Sequence, residues 1–102
     1  MANTSASHII TDFTITAGTT AEQKFATRTP CAWFVIRNNE AGTVLSYKTS
    51  DANSFADAID IAAGASKEFP VLMNSANGYN LAEYRFLSTL VGHSFTIEYV
   101  KA

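Results

Sequence analysis

The chain has 102 residues, of which 47% are hydrophobic and 16% are charged, and its formal net charge is −2. This length predicts one domain with its own core, and the composition excludes an intrinsically disordered chain. Neither nucleic-acid binding nor a membrane span is expected, because there is no Lys/Arg cluster and no apolar run near the roughly 20 residues that cross a bilayer. The low charge indicates either a surface that is covered in the working state or an exterior rich in Ser, Thr and Asn.

The N-terminal residues 1–7 are small and polar, and they predict a flexible arm ahead of a single β-sandwich domain over 8–102. The arm has neither the basic start nor the apolar core of a signal peptide, so we expect a protein made in the cytoplasm. Residues 8–16 then alternate, with Ile9, Phe13 and Ile15 on one face, which predicts a first strand. Residues 21–27, anchored by Phe25, predict a short or edge strand.

Residues 32–48 form the stretch around which the other strands are expected to assemble. The densest hydrophobic run, at 33–36, predicts a central strand that is buried on both faces. A polar break at 38–42 separates it from a second β-prone run at 43–49. Two such runs around a polar break predict an antiparallel hairpin.

Residues 54–62 carry two conflicting patterns. Phe55, Ala58, Ile59 and Ala62 recur at helical spacing, and Gly64 is placed to end a helix. Against a helix, residues 59–61 alternate and lead into a glycine turn. We favour one short helical turn followed by an extended segment.

Three further strands complete the chain. Residues 66–73 predict an edge strand, since Pro70 has no amide to donate, and Asn77-Gly78 lies in a turn cluster that tolerates positive φ. Residues 79–87 predict one strand, and Phe95, Ile97 and Tyr99 alternate in a terminal strand. About seven short strands predict an all-β fold, a single-domain antiparallel β-sandwich of jelly-roll-like or small-barrel type.

No catalytic or metal-binding pattern emerges from the sequence. The sole cysteine, Cys31, is interpreted as a buried structural residue rather than a reactive thiol. It lies far from His93, unlike the ligands of a blue-copper site, and both His8 and His93 are expected at the surface or at a strand end. Neither histidine lies in a nucleophile or oxyanion context, and Asp57 and Asp60 fit a solvated turn better than a catalytic pair. We expect no catalytic site, no metal and no cofactor.

The aromatic residues leave two interpretations open. An exposed aromatic platform would suit stacking on the apolar faces of sugars, and the candidates are seven Phe residues together with Trp33, Tyr47, Tyr79, Tyr84 and Tyr99. Aromatic residues at strand spacing are more often core or interface residues. We favour core or interface and keep carbohydrate binding as an alternative.

Four stretches between residues 30 and 71 follow a characteristic order: an apolar strand that ends in Arg-Asn, a strand that ends near Ser-Asp, a Gly-Ser turn and further strands. They are Trp-Phe-Val-Ile-Arg-Asn-Asn at 33–39, Val-Leu-Ser-Tyr at 44–47, Ser-Asp at 50–51 and Ile-Ala-Ala-Gly-Ala-Ser at 61–66. In this order the sequence resembles small phage virion proteins of the capsid decoration type, also called cement or auxiliary head proteins. The resemblance implies a β-sandwich that decorates a capsid, commonly as a trimer, or a tail or fibre component, without catalytic residues.

The expected function is therefore that of a non-enzymatic structural virion protein that binds the outside of a phage capsid and stabilises it. We expect a contact with the major capsid protein, a homo-oligomer with a trimer favoured, and a location on the capsid surface of the virion. The alternatives are a tail or fibre component and a carbohydrate- or receptor-binding module. The candidate docking residues belong to the N-terminal arm, which is too polar to join the core: Asn3, Thr4, Ser5, Ser7 and His8.

Overall fold

The computed structural model describes residues 8–16, 22–49, 58–71 and 78–101, which form nine β-strands and one turn of 3-10 helix at Leu81–Glu83. No helix in these ranges is long and apolar enough to cross a membrane. The strands are β1 (His8–Thr14), β2 (Glu22–Gln23), β3 (Pro30–Asn38), β4 (Leu45–Lys48), β5 (Ile59–Ile61), β6 (Ser66–Phe69), β7 (Tyr79–Asn80), β8 (Arg85–Leu87) and β9 (Ser94–Lys101).

These strands form two antiparallel sheets. The first has the order β1-β9-β3-β6, with the short β7 also paired to β3, and the second has the order β2-β8-β4-β5. Consecutive strands change sheet except at β4–β5 and β6–β7. Apart from the extra β7, this is the strand order of a jelly roll. The predicted all-β antiparallel sandwich is confirmed, with nine strands instead of about seven.

The core lies between the sheets and is built from alternate residues of the central strands. Phe34 and Ile36 of β3 are fully buried, as are Phe95 and Ile97 of β9. The register pairs Ile36 with Ile97, so apolar side chains of adjacent strands pack side by side. Phe34 also stacks on Phe69 of β6, with the ring centroids 4.2 Å apart. Burial of each such side chain contributes about 1.5–3 kcal/mol.

The connection after β3 does not form the predicted hairpin. β3 belongs to the first sheet, whereas β4 pairs with β5 and β8 in the second. The backbone N–H of Asn39 donates to the carbonyl of Ser94 (3.1 Å), and the side chain of Asn38 donates to the carbonyl of Thr43 (2.9 Å), so the polar break leads the chain from one sheet to the other. β3 is central, as predicted, and the predicted burial on both faces holds in part, since Val35 is buried on the outward face whereas Trp33 is only half-buried there.

The prediction of a single strand over 79–87 is wrong. The chain forms β7, then the 3-10 turn, then β8, and it changes sheet between these two strands. Oδ1 of Asn80 accepts from the backbone N–H of Ala82 (3.1 Å) and of Thr29 (2.9 Å), which caps the turn. Leu81 is fully buried as a result. The burial of Leu81 favours the turn over a continuous strand.

The edge strands lie where the sequence predicts them. β2 and β6 occupy outer positions of their sheets, and β6 ends immediately before Pro70. β5 confirms the extended part of the prediction for 54–62. The predicted helical turn falls largely on 54–57, outside the described residues, and from Ala58 onward this segment contains no helix. The end of the strand predicted over 66–73, including Met73, also lies outside the described residues.

Candidate functional site

Three loops meet at one end of the sandwich: 39–44 between β3 and β4, 62–65 between β5 and β6, and 88–93 between β8 and β9. We call this surface the loop end. Asn38, the last residue of β3, lies where the three loops converge. Its backbone N–H donates to the carbonyl of Ala65 (2.9 Å), and its side chain contacts the other two loops. The loops are therefore fixed relative to one another.

The side chain of Asn38 uses both of its polar atoms. Oδ1 accepts from the backbone N–H of Glu40 (3.1 Å) and lies 2.7 Å from Nε2 of His93. Nδ2 donates on the other side to carbonyl oxygens, and these acceptors fix the orientation of the amide. Its two N–H groups are shared among three acceptors, the carbonyl oxygens of Thr43 (2.9 Å), Ile61 (3.1 Å) and Ala62 (3.2 Å).

His93 is fully buried and continues this network. Because Oδ1 of Asn38 can only accept, Nε2 of His93 carries a proton and donates it. Nδ1 then accepts from the hydroxyl of Ser88 (2.6 Å), whose oxygen accepts from the backbone N–H of Leu90 (3.0 Å). This arrangement fits the neutral imidazole. Burial lowers the pKa of His93 below its ordinary value of 6.5, against an opposing effect of the Glu40 carboxylate.

Ser88, His93 and Asn38 have the residue types of a hydrolytic triad, but their arrangement is structural. A catalytic serine presents its hydroxyl to a substrate, whereas only 1% of Ser88 and none of His93 is exposed. Every buried side-chain nitrogen and oxygen in the described ranges has a hydrogen-bond partner. His93 lies at a strand end, as predicted, but in the interior rather than at the surface.

None of the exposed side chains of the three loops is charged, although the exposed Asp60 of β5 lines a cavity together with Gly42, Val44 and Thr89. Glu40 is half-buried, and its carboxylate accepts from the backbone N–H of Ser94 (2.8 Å). Val91 has 67% of its surface exposed, and Leu90 and Val44 are also exposed. Another protein can cover such a surface without desolvating charges. The exposed residues are Asn39, Ala41, Gly42, Val44, Ala62, Ala63, Gly64, Thr89, Leu90, Val91 and Gly92.

A different feature lies on the outward face of the first sheet, where a groove of about 390 Å³ extends over β3, β6 and β9. Val35 pairs with Glu68 on one side and with Glu98 on the other, so these three side chains share one row of the outward face. The apolar part of the groove is formed by Trp33, Val35, Pro70 and Val71. The polar part is formed by Arg37, Glu68 and Glu98.

Glu98 links the charged groups of the groove. Its Oε1 accepts from Nη2 of Arg37 (2.5 Å), and its Oε2 accepts from Nε2 of His8 (2.7 Å). These hydrogen bonds, the one from Arg37 first, lower the pKa of Glu98 below its ordinary value. The side chain of Arg37 remains 48% exposed, so its other N–H groups are open to solvent.

Of the five predicted docking residues, the structure describes only His8. It is the first residue of β1, and its ring lies 5.9 Å from that of Trp33 as well as against Glu98. His8 therefore belongs to the outward face of the first sheet. The other predicted docking residues lie outside the described residues: Asn3, Thr4, Ser5 and Ser7.

The interpretation of Cys31 as a structural residue is confirmed. Its thiol is fully buried, and burial raises the pKa to about 11, so the reactive thiolate is disfavoured. Asp60 lies on β5 and accepts from the hydroxyl of Ser46 (2.6 Å), whereas Asp57 lies outside the described residues. Within the described ranges, no three His, Cys, Asp or Glu side chains are grouped so as to hold a metal ion.

Most residues of the loop end and of the groove were not predicted from the sequence. Asn38 and His93 are separated by 55 positions, and no local pattern connects them. For the groove, Trp33 was one of several aromatic candidates, and Arg37, Glu68 and Glu98 were not candidates at all. The alternation of β3 was the available signal, since it places residues 33, 35 and 37 on the face opposite Phe34 and Ile36.

Comparison of the chain with protein-family models, with curated proteins and with solved structures gives no significant match in any of the three. The loop end and the groove are therefore the features that bear on function. The two surfaces differ in chemistry, because the exposed loop side chains of one are uncharged, whereas the other combines an indole with three charged groups.

The buried His93 predicts a loss of stability in mild acid. Its pKa is lowered in the folded state, so the unfolded chain binds the proton more tightly. The free energy of unfolding should therefore be fully retained above about pH 6.5 and fall as the pH drops from there toward the lowered pKa. Urea unfolding between about pH 7.5 and pH 5 measures this slope.

The His93→Gln variant should be less stable at neutral pH but should lose this pH dependence. The matched control is His8→Gln, which removes the exposed histidine and should leave the slope intact. A wild-type stability that stays constant over the window, or a slope that persists in His93→Gln, would contradict the assignment.

Proposed function

We propose that this chain is a non-enzymatic structural protein of a phage virion, which binds the outside of the capsid through its loop end and stabilises the particle. The observation that carries the proposal is the combination of an uncharged exposed surface with the buried network beneath it. A rigid, uncharged surface loses little conformational entropy and little charge hydration when a partner covers it. The proposed partner is the major capsid protein.

The fold supports the proposal at the level of analogy. The jelly roll recurs in viral capsid and lectin domains, among other proteins, and a fold alone does not assign a function. The resemblance of residues 30–71 to decoration proteins points the same way. Binding that occurs only on the assembled shell would stabilise it by mass action.

Self-association is part of the proposal, with a trimer favoured by the resemblance. β1 is an outer strand of the first sheet, and its seven residues pair only with β9 among the described strands. Such an edge offers backbone groups to a second copy. Lys24 donates to the carbonyl of Thr14 and so covers one end of this edge. The remaining edge, nearer His8, is where we place the contact between copies.

The first experiment counts this chain in purified particles from its source. Quantitative mass spectrometry should find it at a simple fraction of the copies of the major shell protein. A few copies per particle would replace the proposal with a tail or fibre role. Absence from the particles would end the virion proposal. The mass of the purified protein in solution tests the trimer separately.

The second experiment locates the docking surface with two matched substitutions. Val91 at the loop end and Val71 at the groove are exposed valines outside strands, at 67% and 58% exposure. Val91→Glu should reduce rebinding to particles that lack the protein by at least about tenfold, because docking would bury an unpaired carboxylate. Val71→Glu should rebind like the wild type. Equal losses in both variants, or a loss in Val71→Glu alone, would refute docking through the loop end.

A further inference from the structure

The groove on the first sheet offers a ligand two kinds of surface at once. Trp33, Val35, Pro70 and Val71 form an apolar wall and floor. The charged groups lie beside them, on the same outward face. A volume of about 390 Å³ falls within the size range of small-ligand sites, which is about 300–1,000 Å³.

The polar groups of the groove are only partly used by the protein. Nη2 of Arg37 donates to Glu98. Because a guanidinium has five N–H donors, most of the donors of Arg37 remain available to a ligand. Glu68 is exposed and makes no hydrogen bond or ion pair within the described residues. Its carboxylate can therefore accept from a ligand. Glu98 accepts hydrogen bonds from both Arg37 and His8, and this contact holds the Arg37 side chain in position.

This combination selects among ligand classes. Two carboxylates and one guanidinium leave the groove with an excess negative charge, which disfavours an anion. An apolar peptide would bury the Glu68 carboxylate and the remaining N–H groups of Arg37 without partners, which is costly. A neutral sugar matches both parts of the lining: its apolar ring face covers an indole, and its hydroxyl groups both donate and accept.

We propose that this groove is a saccharide-binding site, in which Trp33 contacts the apolar face of a neutral sugar ring while Arg37 and Glu68 bind its hydroxyl groups. Glu98 acts as a positioning residue that orients Arg37. The site is independent of capsid docking, because the groove lies on the outward face of the first sheet and the loop end lies at the end of the sandwich.

The chain contains its own reporter for this proposal. Trp33 is the only tryptophan, so intrinsic indole fluorescence reports on the groove alone. A panel of neutral oligosaccharides built from glucose, galactose, mannose and N-acetylglucosamine is screened on an array, and each binder is then titrated against the soluble protein. A saturable change in Trp33 fluorescence is expected for at least one of them.

Substitutions then locate the site. Glu68→Ala and Arg37→Ala should each weaken binding by about tenfold or more, since each removes a charged hydrogen-bonding group. The matched control is Glu83→Ala, which removes an exposed carboxylate from the 3-10 turn and should leave the affinity unchanged. Circular dichroism confirms that each variant is folded, and the methyl NMR signals of Val35 and Val71 provide a second readout in the wild type.

Three outcomes would overturn the proposal. No response of Trp33 to any sugar of the panel would exclude a neutral saccharide. Binding that survives Glu68→Ala and Arg37→Ala would place the sugar outside the groove. A response to tetramethylammonium in the absence of any sugar response would identify the groove as a cation site instead. None of these results bears on capsid docking, which Val91→Glu tests separately.

Discussion

Replacing Asn38 with alanine should lower the free energy of unfolding by about 3 kcal/mol or more. The substitution removes one amide that contacts all three loops of the loop end. It removes a donor from the carbonyl groups of Thr43 and Ile61, and it leaves Nε2–H of His93 without its acceptor, whereas the carbonyl of Ala62 still accepts from the N–H of Ala65. Each buried polar group that loses its partner costs about 1–3 kcal/mol. Denaturant unfolding at neutral pH measures the change.

Asn39→Ala is the matched control, because it removes the neighbouring amide from an exposed position. Nδ2 of Asn39 donates to Oγ1 of Thr96 (2.8 Å), and solvent can replace that contact. The expected loss is below about 1 kcal/mol. Equal losses in the two variants would show that the buried network does not stabilise the loop end. A destabilised Asn38→Ala should also bind particles more weakly than Asn39→Ala.

Much of the strand pattern follows from local alternation. The first and last strands were predicted with the correct inward residues. Side chains alternate along a strand, and when only one face of the sheet is buried, the apolar residues can lie only on that face. The hydrophobic core between the sheets contains those same residues, among them Phe13 on β1 and Phe95 and Ile97 on β9. Local physics was sufficient where each strand has one buried and one exposed face.

The connections between strands could not be obtained in the same way. A polar break such as 38–42 can end one strand of a hairpin or lead the chain to another sheet, and both leave the same local pattern. What decides is the distant partner of β3, which is β9, more than 50 residues further along the chain. The strand predicted over 79–87 failed for the same reason, since burial of Leu81 is a tertiary effect.

The candidate sites show a related limit. Sequence patterns drew attention to Trp33, His8 and His93 but did not show which residues lie beside them. The charge of Glu98 is organised by Arg37 and His8, which are 61 and 90 positions away. Pairings across a jelly roll connect residues with no sequence relationship. Both surfaces therefore became visible only when the register of the strands was known.

Replacing Gly78 with alanine should also lower the free energy of unfolding strongly, although it adds only one methyl group. Its φ is +62°, a left-handed conformation, and a Cβ built there would lie 2.3 Å from the carbonyl oxygen of Cys31. Gly78 precedes β7, which pairs with Cys31 on β3. Gly78→Ala should therefore force the backbone of β3 and β7 apart. We expect a loss of about 3 kcal/mol, from the left-handed conformation and from the clash together.

Two other glycines separate these contributions. Gly64 has φ +73° but open space around the added methyl, so Gly64→Ala should cost only about 1–2 kcal/mol from the conformation. Gly42 has open space and no left-handed φ, so Gly42→Ala should be neutral or stabilise by up to about 1 kcal/mol. Unfolding in urea should give the order Gly78→Ala, Gly64→Ala, Gly42→Ala from largest to smallest loss. If Gly78→Ala and Gly64→Ala cost the same, the close approach of the β7 entry to β3 contributes nothing, and the placement of β7 beside Cys31 would have to be revised.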